Sequence, residues 1–345
     1  MPINEAIAVT VVAAAIMAGV FAVQPATPAM TPVAVPVSTT ILPLDRDDAG
    51  VTRIGDLLFM GAVQIRSSNA EFGAISALRP GAEPGTSGVV PFFAVTDTGK
   101  WLTFDAVETG GRLVGVRNAV FVPIAEPDGR PAPNKTAGDA EALEWNPATG
   151  AATVVYEQNH RIAHFTGIDP ARPETLATPP TTVEGITAMA GWPINGGGEA
   201  MAILPGGARI IIGERARRLD GSHVAFLTRN GVTREIGISG IARFAPTDAV
   251  AIDATRMLIL HRRFGIDGQA AAISLVDLAP ALDGAATETP LPIRVLAQWR
   301  PPVTVDNMEG LAVRRVGDRL FVYVISDDNL NSLQRTILMK FEARL

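Results

Sequence analysis

A short unit that recurs five times is the feature that most constrains how this chain can fold. Each copy begins with a polar or acidic residue, passes through a small residue into a short apolar strand, turns, and ends a second apolar strand on another charged residue. Successive starts lie about 50 to 65 residues apart, the length of one four-stranded propeller blade with its loops. The copies start at Ser76, Glu141, Glu199, Asp248 and Glu309 and end at Asp97, Glu157, Glu214, His261 and Asp327.

The sequence around these units predicts an all-β fold. After residue 50 the apolar residues form short β-branched runs bounded by Gly, Pro, Asn and Asp, with no sustained helical period. We therefore predict a single β-propeller domain over residues 45–345. Five blades are counted, and a sixth, degenerate blade between residues 100 and 140 or 160 and 195 is the alternative. The runs Leu57–Ile65 and Thr336–Ala343 are expected to share one blade and close the ring.

The N-terminus differs in composition from the rest of the chain. Ala6–Val23 is apolar except for Thr10, and Val20-Phe21-Ala22 resembles a signal-peptidase site. Residues 1–23 are thus predicted to be a signal peptide, which makes the protein periplasmic or secreted. The first residues carry Glu5 and no Lys or Arg, so an uncleaved membrane anchor is the alternative. Residues 24–44 are predicted to be a Pro-rich linker, with the folded domain starting near Asp45–Arg53.

Composition excludes several classes of function. The chain has no cysteine, which rules out disulfides, thiolate metal sites and cysteine nucleophiles. Its net charge of −6 argues against a nucleic-acid partner, which would require clustered Lys and Arg. The expected partner is a small molecule. We expect contact with a membrane only if the N-terminal segment is an anchor. We expect the protein to be a monomer.

The phase of the repeat predicts an acidic site. In a propeller the start of the first strand and the end of the second strand of every blade lie on the same face, around the central channel. The charged ends of the five units should therefore meet at one mouth, with Ser76 and His261 interrupting the carboxylates. Clustered carboxylates repel one another, and an oxygen-only ligand set favours a hard cation such as Ca²⁺. The candidate metal ligands are Asp97, Glu141, Glu157, Glu199, Glu214, Asp248, Glu309, Asp327 and Asp328.

Several stretches resemble the phytase-like propeller proteins known for an "esterase-like activity of phytase". They are Phe72–Leu78, Val95–Trp101, Asp139–Leu143, Asn195–Met201, Asp306–Ala312, and Ile325–Asn329 with Gln334–Leu338. The resemblance extends from about residue 55 to the end of the chain. It implies a propeller with Asp and Glu in its site, export, and a phosphoesterase-type activity. The position of His261 resembles one that is acidic in relatives.

These observations lead to the hypothesis of an exported, calcium-dependent phosphoesterase. Glu199, Glu309, Asp327 and His261 are the candidate catalytic residues, and basic side chains would hold phosphate oxygens. The candidates for that second role are Lys100, Arg215, Arg262 and Arg335. A non-catalytic calcium-stabilised propeller that binds a ligand and a lactonase- or esterase-like calcium propeller are the alternatives.

Other chemistries have little support in the sequence. Ser76 is not in a Gly-x-Ser-x-Gly elbow. His160 and His164 have the spacing of a helical zinc pair, but the stretch has strand character and lacks the Glu of that motif. Asn195–Gly198 is not a P-loop, and we interpret its glycines as a close approach of the backbone to the channel.

Overall fold

The computed structural model describes residues 30–82, 88–185, 187–266, 268–284 and 289–345. Within these ranges the strands form five antiparallel sheets, which confirms the five-bladed propeller. The innermost strands of the five sheets contact one another in a closed ring. The two regions considered for a sixth blade supply the third and fourth strands of blades 1 and 2.

Each blade consists mainly of consecutive strands, ordered from the channel outward. Blade 1 contains β5 (Ile75–Pro80), β6 (Val89–Thr96), β7 (Lys100–Thr109) and β8 (Arg112–Pro123), and blade 2 contains β9 (Ala140–Asn146), β10 (Ala151–Tyr156), β11 (Arg161–Phe165) and β12 (Thr182–Gly185). Blade 3 contains β13 (Gly198–Ile203), β14 (Arg209–Arg217), β15 (His223–Arg229) and β16 (Val232–Ile238), and blade 4 contains β17 (Ala245–Ala251), β18 (Arg256–Gly265), β19 (Gly268–Asp277) and β20 (Ile293–Trp299). Blade 5 contains β21 (Asn307–Val316), β22 (Arg319–Asp327), β23 (Thr336–Ala343) and β4 (Leu57–Ser67).

Short helices interrupt this pattern. They are α1 (Lys135–Gly138), α2 (Ala279–Leu282) and the 3₁₀ turns Pro173–Ala177 and Thr187–Gly191. Among the residues that the structure describes, no helix is long and apolar enough to cross a membrane. The predictions for residues 1–23 lie outside the described residues.

The ring is closed by pairing between an early strand and the last strand, as the sequence predicted. Strand β4 pairs with β23, and Val63 lies opposite Leu338. This seam is apolar, since both side chains are fully buried.

The outer edges of two blades correct the predicted start of the folded domain. Residues 33–42, which we placed in a linker, form β1 (Val33–Val35) and β2 (Val37–Leu42). Strand β1 pairs with β8 of blade 1 and β2 with β4 of blade 5, while β3 (Arg53–Ile54) also pairs with β4. The segment is extended as expected, but its β-branched residues pair with the exposed outer strands instead of spanning free solvent.

The core lies between neighbouring blades, because each sheet is apolar on both faces. Trp101 of blade 1 packs edge-on against Phe165 of blade 2, with ring centroids 5.1 Å apart. Both rings are fully buried. Packing of this kind fixes the angle between blades and thereby the positions of the strand ends that surround the channel.

Candidate functional site

The innermost strand of every blade carries a β-bulge at the same place. One residue of this strand is left without a partner on the second strand, which bends the strand locally and re-aims the side chain. In four blades the unpaired residue is one of the predicted starts, and in blade 4 it is Thr247 instead of Asp248. The five bulge residues are Ser76, Glu141, Glu199, Thr247 and Glu309.

The end of the second strand is equally regular. Asp327 lies opposite Asn307, two residues before the bulge, and Arg262 lies opposite Ala245 at the equivalent place of blade 4. The predicted end of the fourth unit, His261, is thus one residue too early. The five equivalent residues are Asp97, Glu157, Glu214, Arg262 and Asp327.

All of these residues except Thr247 line a cavity of about 330 Å³ at one mouth of the channel. Eight carboxylates and three basic side chains line it, so negative charge dominates. The carboxylates are Asp97, Asp139, Glu141, Glu157, Glu199, Glu214, Glu309 and Asp327, and the bases are Lys135, Arg215 and Arg262. The structure therefore brings together nine of the residues that the sequence nominated and adds Asp139 and Lys135.

One side of this mouth, formed by blades 3 to 5, is organised around Arg262. Its guanidinium lies 3.0 Å from a carboxylate oxygen of Glu309, 3.1 Å from one of Glu214 and 3.9 Å from one of Glu199. It also donates a hydrogen bond of 3.0 Å to the side-chain carbonyl of Asn307. This residue supplies an internal positive charge where the four other blades have Glu or Asp in the same register.

The opposite side, formed by blades 1 and 2, is more strongly acidic. Ligand oxygens of Asp139, Glu141 and Glu157 lie within 4.8 Å of one another, close enough to share one ion. Lys135 contacts Asp97 and lies 3.6 Å from Asp139, and its side chain is 57% exposed. Oδ1 of Asp97 and Oδ1 of Asp139 are buried without a hydrogen-bond partner. This oxygen-only set fits a hard divalent cation such as Ca²⁺.

A glycine-rich loop shapes this side of the mouth. The amides of Gly196 and Gly197 both donate to Oε1 of Glu157. A Cβ on Gly197 would lie 2.7 Å from the His160 ring, and one on Gly196 would lie 2.5 Å from Arg215. Neither position has room for a side chain, so the backbone can come this close to Glu157 only because both residues are glycine. This agrees with our interpretation of Asn195–Gly198.

Burial changes the protonation of the mouth carboxyls. It raises the pKa of Glu141 and of Glu199 well above the usual range, and neighbouring carboxylates raise both further. Burial also raises the pKa of Asp327 to about 7. The hydrogen bond that Asp327 accepts from the Asn329 amide lowers this pKa, but burial has the larger effect. A divalent cation would favour the charged forms of these groups.

Asp248 is not part of this mouth. Its side chain is fully buried in the channel and forms a two-pronged ion pair with Arg79, with N···O distances of 3.0 and 3.1 Å. Oδ2 also accepts a hydrogen bond from the Leu311 amide. Asp248 is the residue after the bulge, a position that is Ala or Gly in the other blades. The sequence assigned it to the acidic ring because it is acidic, but it lies one residue beyond the position that faces the mouth.

Four more nominated residues lie outside the cavity. His261 is buried, its Nε2 is 2.7 Å from the Ser274 hydroxyl, and burial lowers its pKa to about 3. Lys100 contacts Thr98 and the ring of Phe121. Arg335 pairs with Asp306, and Asp328 accepts a hydrogen bond from Thr336.

Sequence reasoning missed two charged residues of the mouth. Asp139 opens the stretch Asp139–Leu143 and lies two residues before a bulge, so the repeat phase could have identified it. Lys135 is on the short helix α1, between blades 1 and 2. Nothing in the repeat marks that position, because an insertion between blades has no counterpart in the other units.

A second pocket adjoins the mouth and is rich in arginine. It measures about 420 Å³ and shares Glu214, Arg215 and Arg262 with the acidic cavity. Glu214 is its only acidic lining residue among the described residues. The arginines that line it are Arg215, Arg217, Arg243, Arg262 and Arg263.

Fold and site together define a five-bladed propeller with a carboxylate-lined mouth. Residues 70–330 match the phytase-like family described as "Esterase-like activity of phytase". The chain belongs to this family, which confirms the resemblance drawn from the sequence. No curated protein shows significant sequence similarity to it.

Three solved structures align with this chain at low sequence identity. A catalytic domain of a GH62 α-L-arabinofuranosidase from Coprinopsis cinerea aligns with a TM-score of 0.47 and 13% identity over 87% of this chain and 98% of its own. Hydrazine synthase from Kuenenia stuttgartiensis aligns with a TM-score of 0.38 and 10% identity, over 76% of this chain and 79% of its own. The allergen Mala s 1 from Malassezia sympodialis aligns with a TM-score of 0.41 and 11% identity, over 84% of this chain and 91% of its own.

Proposed function

We propose that this chain is an exported, calcium-dependent hydrolase that cleaves phosphoesters at the acidic mouth. The observation that carries the proposal is the convergence of eight carboxylates, two of them with buried oxygens that lack a hydrogen bond, on a cavity that also holds a guanidinium group. Membership of the phytase-like family supports a hydrolase. The calcium ion and the phosphoester are our inference from the chemistry of the side chains.

The proposed cation would be held by Asp139, Glu141 and Glu157, with Asp97 beside them. When bound, it supplies neutralisation of the phosphate charge and a lower pKa for a nearby water. Arg262 and Arg215 would donate hydrogen bonds to phosphate oxygens. The adjoining arginine-rich pocket supports an anionic substrate, because a lactone would not need this positive charge.

Asp327 is the proposed proton-transfer residue. A general acid or base works best when its pKa lies near the working pH, and the pKa of Asp327 is raised to about 7. Its side chain lines the cavity together with Glu309. His261, the other candidate for this role, is buried and hydrogen-bonded to Ser274 away from the cavity, so we do not assign it a catalytic role.

The test is hydrolysis of aryl phosphate mono- and diesters, phytate and a lactone panel, with Ca²⁺ and with a chelator. We expect phosphoester cleavage that depends on Ca²⁺. Asp327→Asn should lower kcat by about 10²- to 10⁴-fold, whereas Asp328→Asn, the neighbouring residue outside the cavity, should retain most of it. Hydrolysis of lactones alone would favour the lactonase alternative, and hydrolysis of nothing would favour a ligand-binding propeller.

A further inference from the structure

The mouth is asymmetric in a way that the five repeats make visible. In four blades the second strand ends on Asp or Glu, and in blade 4 it ends on Arg262. The bulge residue of the same blade, Thr247, is uncharged. Blade 4 therefore lacks both of its carboxylates and contributes a positive charge in their place.

Arg262 lies among three carboxylates on its side of the mouth. Its guanidinium nitrogens lie 3.0 and 3.1 Å from Glu309 and Glu214, and Glu199 is next at 3.9 Å. Nearby carboxylates raise the pKa of this already strongly basic group, so it remains charged. Three carboxylates are thus neutralised in part by a covalently attached cation that cannot leave the site.

The side formed by blades 1 and 2 has no such buried cation among the described residues. Lys135 is the basic group next to Asp97 and Asp139, but its side chain is 57% exposed and is carried by a four-residue helix. The carboxylate of Asp139 is buried; its Oδ2 accepts a hydrogen bond from Gln158, whereas its Oδ1 has no hydrogen bond and lies 3.6 Å from the Lys135 ammonium. Oδ1 of Asp97 is also buried without a hydrogen bond. Buried carboxylate oxygens that lack hydrogen bonds are costly, which is a second indication, besides the cluster itself, that a ligand binds there.

We propose that the mouth binds one divalent cation, on the side of Asp139, Glu141 and Glu157, and that Arg262 takes the place of a second ion. Lys135 moves away from Asp97 and Asp139 when the ion binds, so it competes with the metal. The proposal rests on the metal-binding part of the proposed function. A substrate anion then lies between the metal ion and Arg262. The metal ion is an exchangeable positive charge on one side of the anion, and the Arg262 guanidinium is a covalently attached one on the other side.

The stoichiometry of binding tests the proposal. Calorimetric titration of the chelator-treated protein with Ca²⁺ should give one ion per chain at this mouth, and Tb³⁺ luminescence should report the same site by competition. Glu141→Gln should abolish this binding, whereas Glu199→Gln, on the Arg262 side, should retain it. Two ions in the native protein, no ion, or the reverse result for the two Gln variants would overturn the proposal.

Replacing Arg262 gives the sharper test. Arg262→Gln leaves three carboxylates without their cation, so the stoichiometry should rise to two, while Arg262→Lys should keep it at one. Arg335→Gln, which removes an arginine outside the cavity, is the matched control and should also keep one. Circular dichroism and a thermal melt of each variant establish folding first. If Arg262→Gln does not fold, the Lys variant and the two Gln variants above still decide the outcome, and a single ion in a folded Arg262→Gln would contradict the proposal.

The role of Lys135 is measured separately. Lys135→Met should bind Ca²⁺ about tenfold more tightly, because one charge-assisted contact no longer competes, with one ion per chain as before. Unchanged or weaker binding would show that Lys135 does not compete. None of these titrations measures hydrolysis, so a protein that binds one ion and hydrolyses nothing refutes only the proposed function.

Discussion

At the scale of single residues, burial and neighbouring charge decide what the mouth carboxyls can do. Asp327 illustrates this, because its carboxyl is largely buried and lies near the charges of Asp97 and Asp328. Its pKa of about 7 in the folded protein exceeds the ordinary value of 3.8. The folded state therefore retains this proton in a pH range in which the unfolded chain has lost it.

The sign of the resulting pH dependence follows from linkage. A raised carboxyl pKa adds stability that is fully present below pH 3.8 and is lost as the pH rises through about 7. With a chelator present, Asp327→Asn, which cannot ionise, should therefore become more stable relative to the native protein across this range, by on the order of a few kcal/mol. Urea denaturation at several pH values measures the difference. A difference that does not change with pH would contradict the raised pKa.

At the scale of the element, the ring depends on a strand from the beginning of the chain. Strand β4 lies between β2 and β23, so it pairs on both sides, whereas β2 is an edge strand. A Pro inside a doubly paired strand removes a ladder hydrogen bond and forces the neighbouring backbone apart, while an edge tolerates it better. The two strands thus differ in how much they contribute to closure although both lie outside the repeated units.

A pair of proline substitutions tests this difference. Val63→Pro, at a fully buried position paired with both Ile41 and Leu338, should destabilise the protein by about 3 kcal/mol or more. Thr40→Pro in β2 is the control and should cost clearly less. Denaturant midpoints of the two variants give the comparison, and equal losses would mean that β2 is as essential to closure as β4.

At the scale of the whole molecule, one buried arginine joins all five blades. The guanidinium of Arg79, from blade 1, contacts Glu144 of blade 2 and Asp248 of blade 4. It also donates hydrogen bonds to the backbone carbonyls of Met201 in blade 3 and Leu311 in blade 5, at 3.0 and 2.9 Å. The Arg79 side chain is only 3% exposed and lies inside the channel, deeper than the mouth. The acidic cavity is therefore closed below by a packed, charged layer.

Removing this residue should affect the whole fold. Arg79→Met would leave Asp248 and Glu144 buried without their cation, and breaking a buried pair in this way costs about 3–5 kcal/mol. The control is Arg294→Met, whose pair with Asp56 is exposed on both sides and should contribute less than about 1 kcal/mol. Equilibrium unfolding in urea measures both. A normal midpoint for Arg79→Met would show that the five-blade contact is dispensable.

Much of the fold and of the candidate site could be predicted from the sequence, because both follow from local periodicity. Short β-branched runs determine the strands, and the spacing of the units indicates the number of blades. Since strand ends of equal phase meet on one face, the carboxylates of Glu141, Glu199 and Glu309 can be assigned to one mouth from the sequence alone.

The tertiary structure decided what local periodicity does not contain. The register of blade 4 depends on backbone pairing, so the sequence indicated Asp248 and His261 where the strands place Thr247 and Arg262. Lys135 reaches the mouth from an insertion without a repeat. The partners of Arg79 come from all five blades and meet only when the ring closes. The sequence by itself therefore determined the propeller and its acidic face, whereas the closed ring determined which charges neutralise one another, because such pairing depends on distances between residues far apart in the chain.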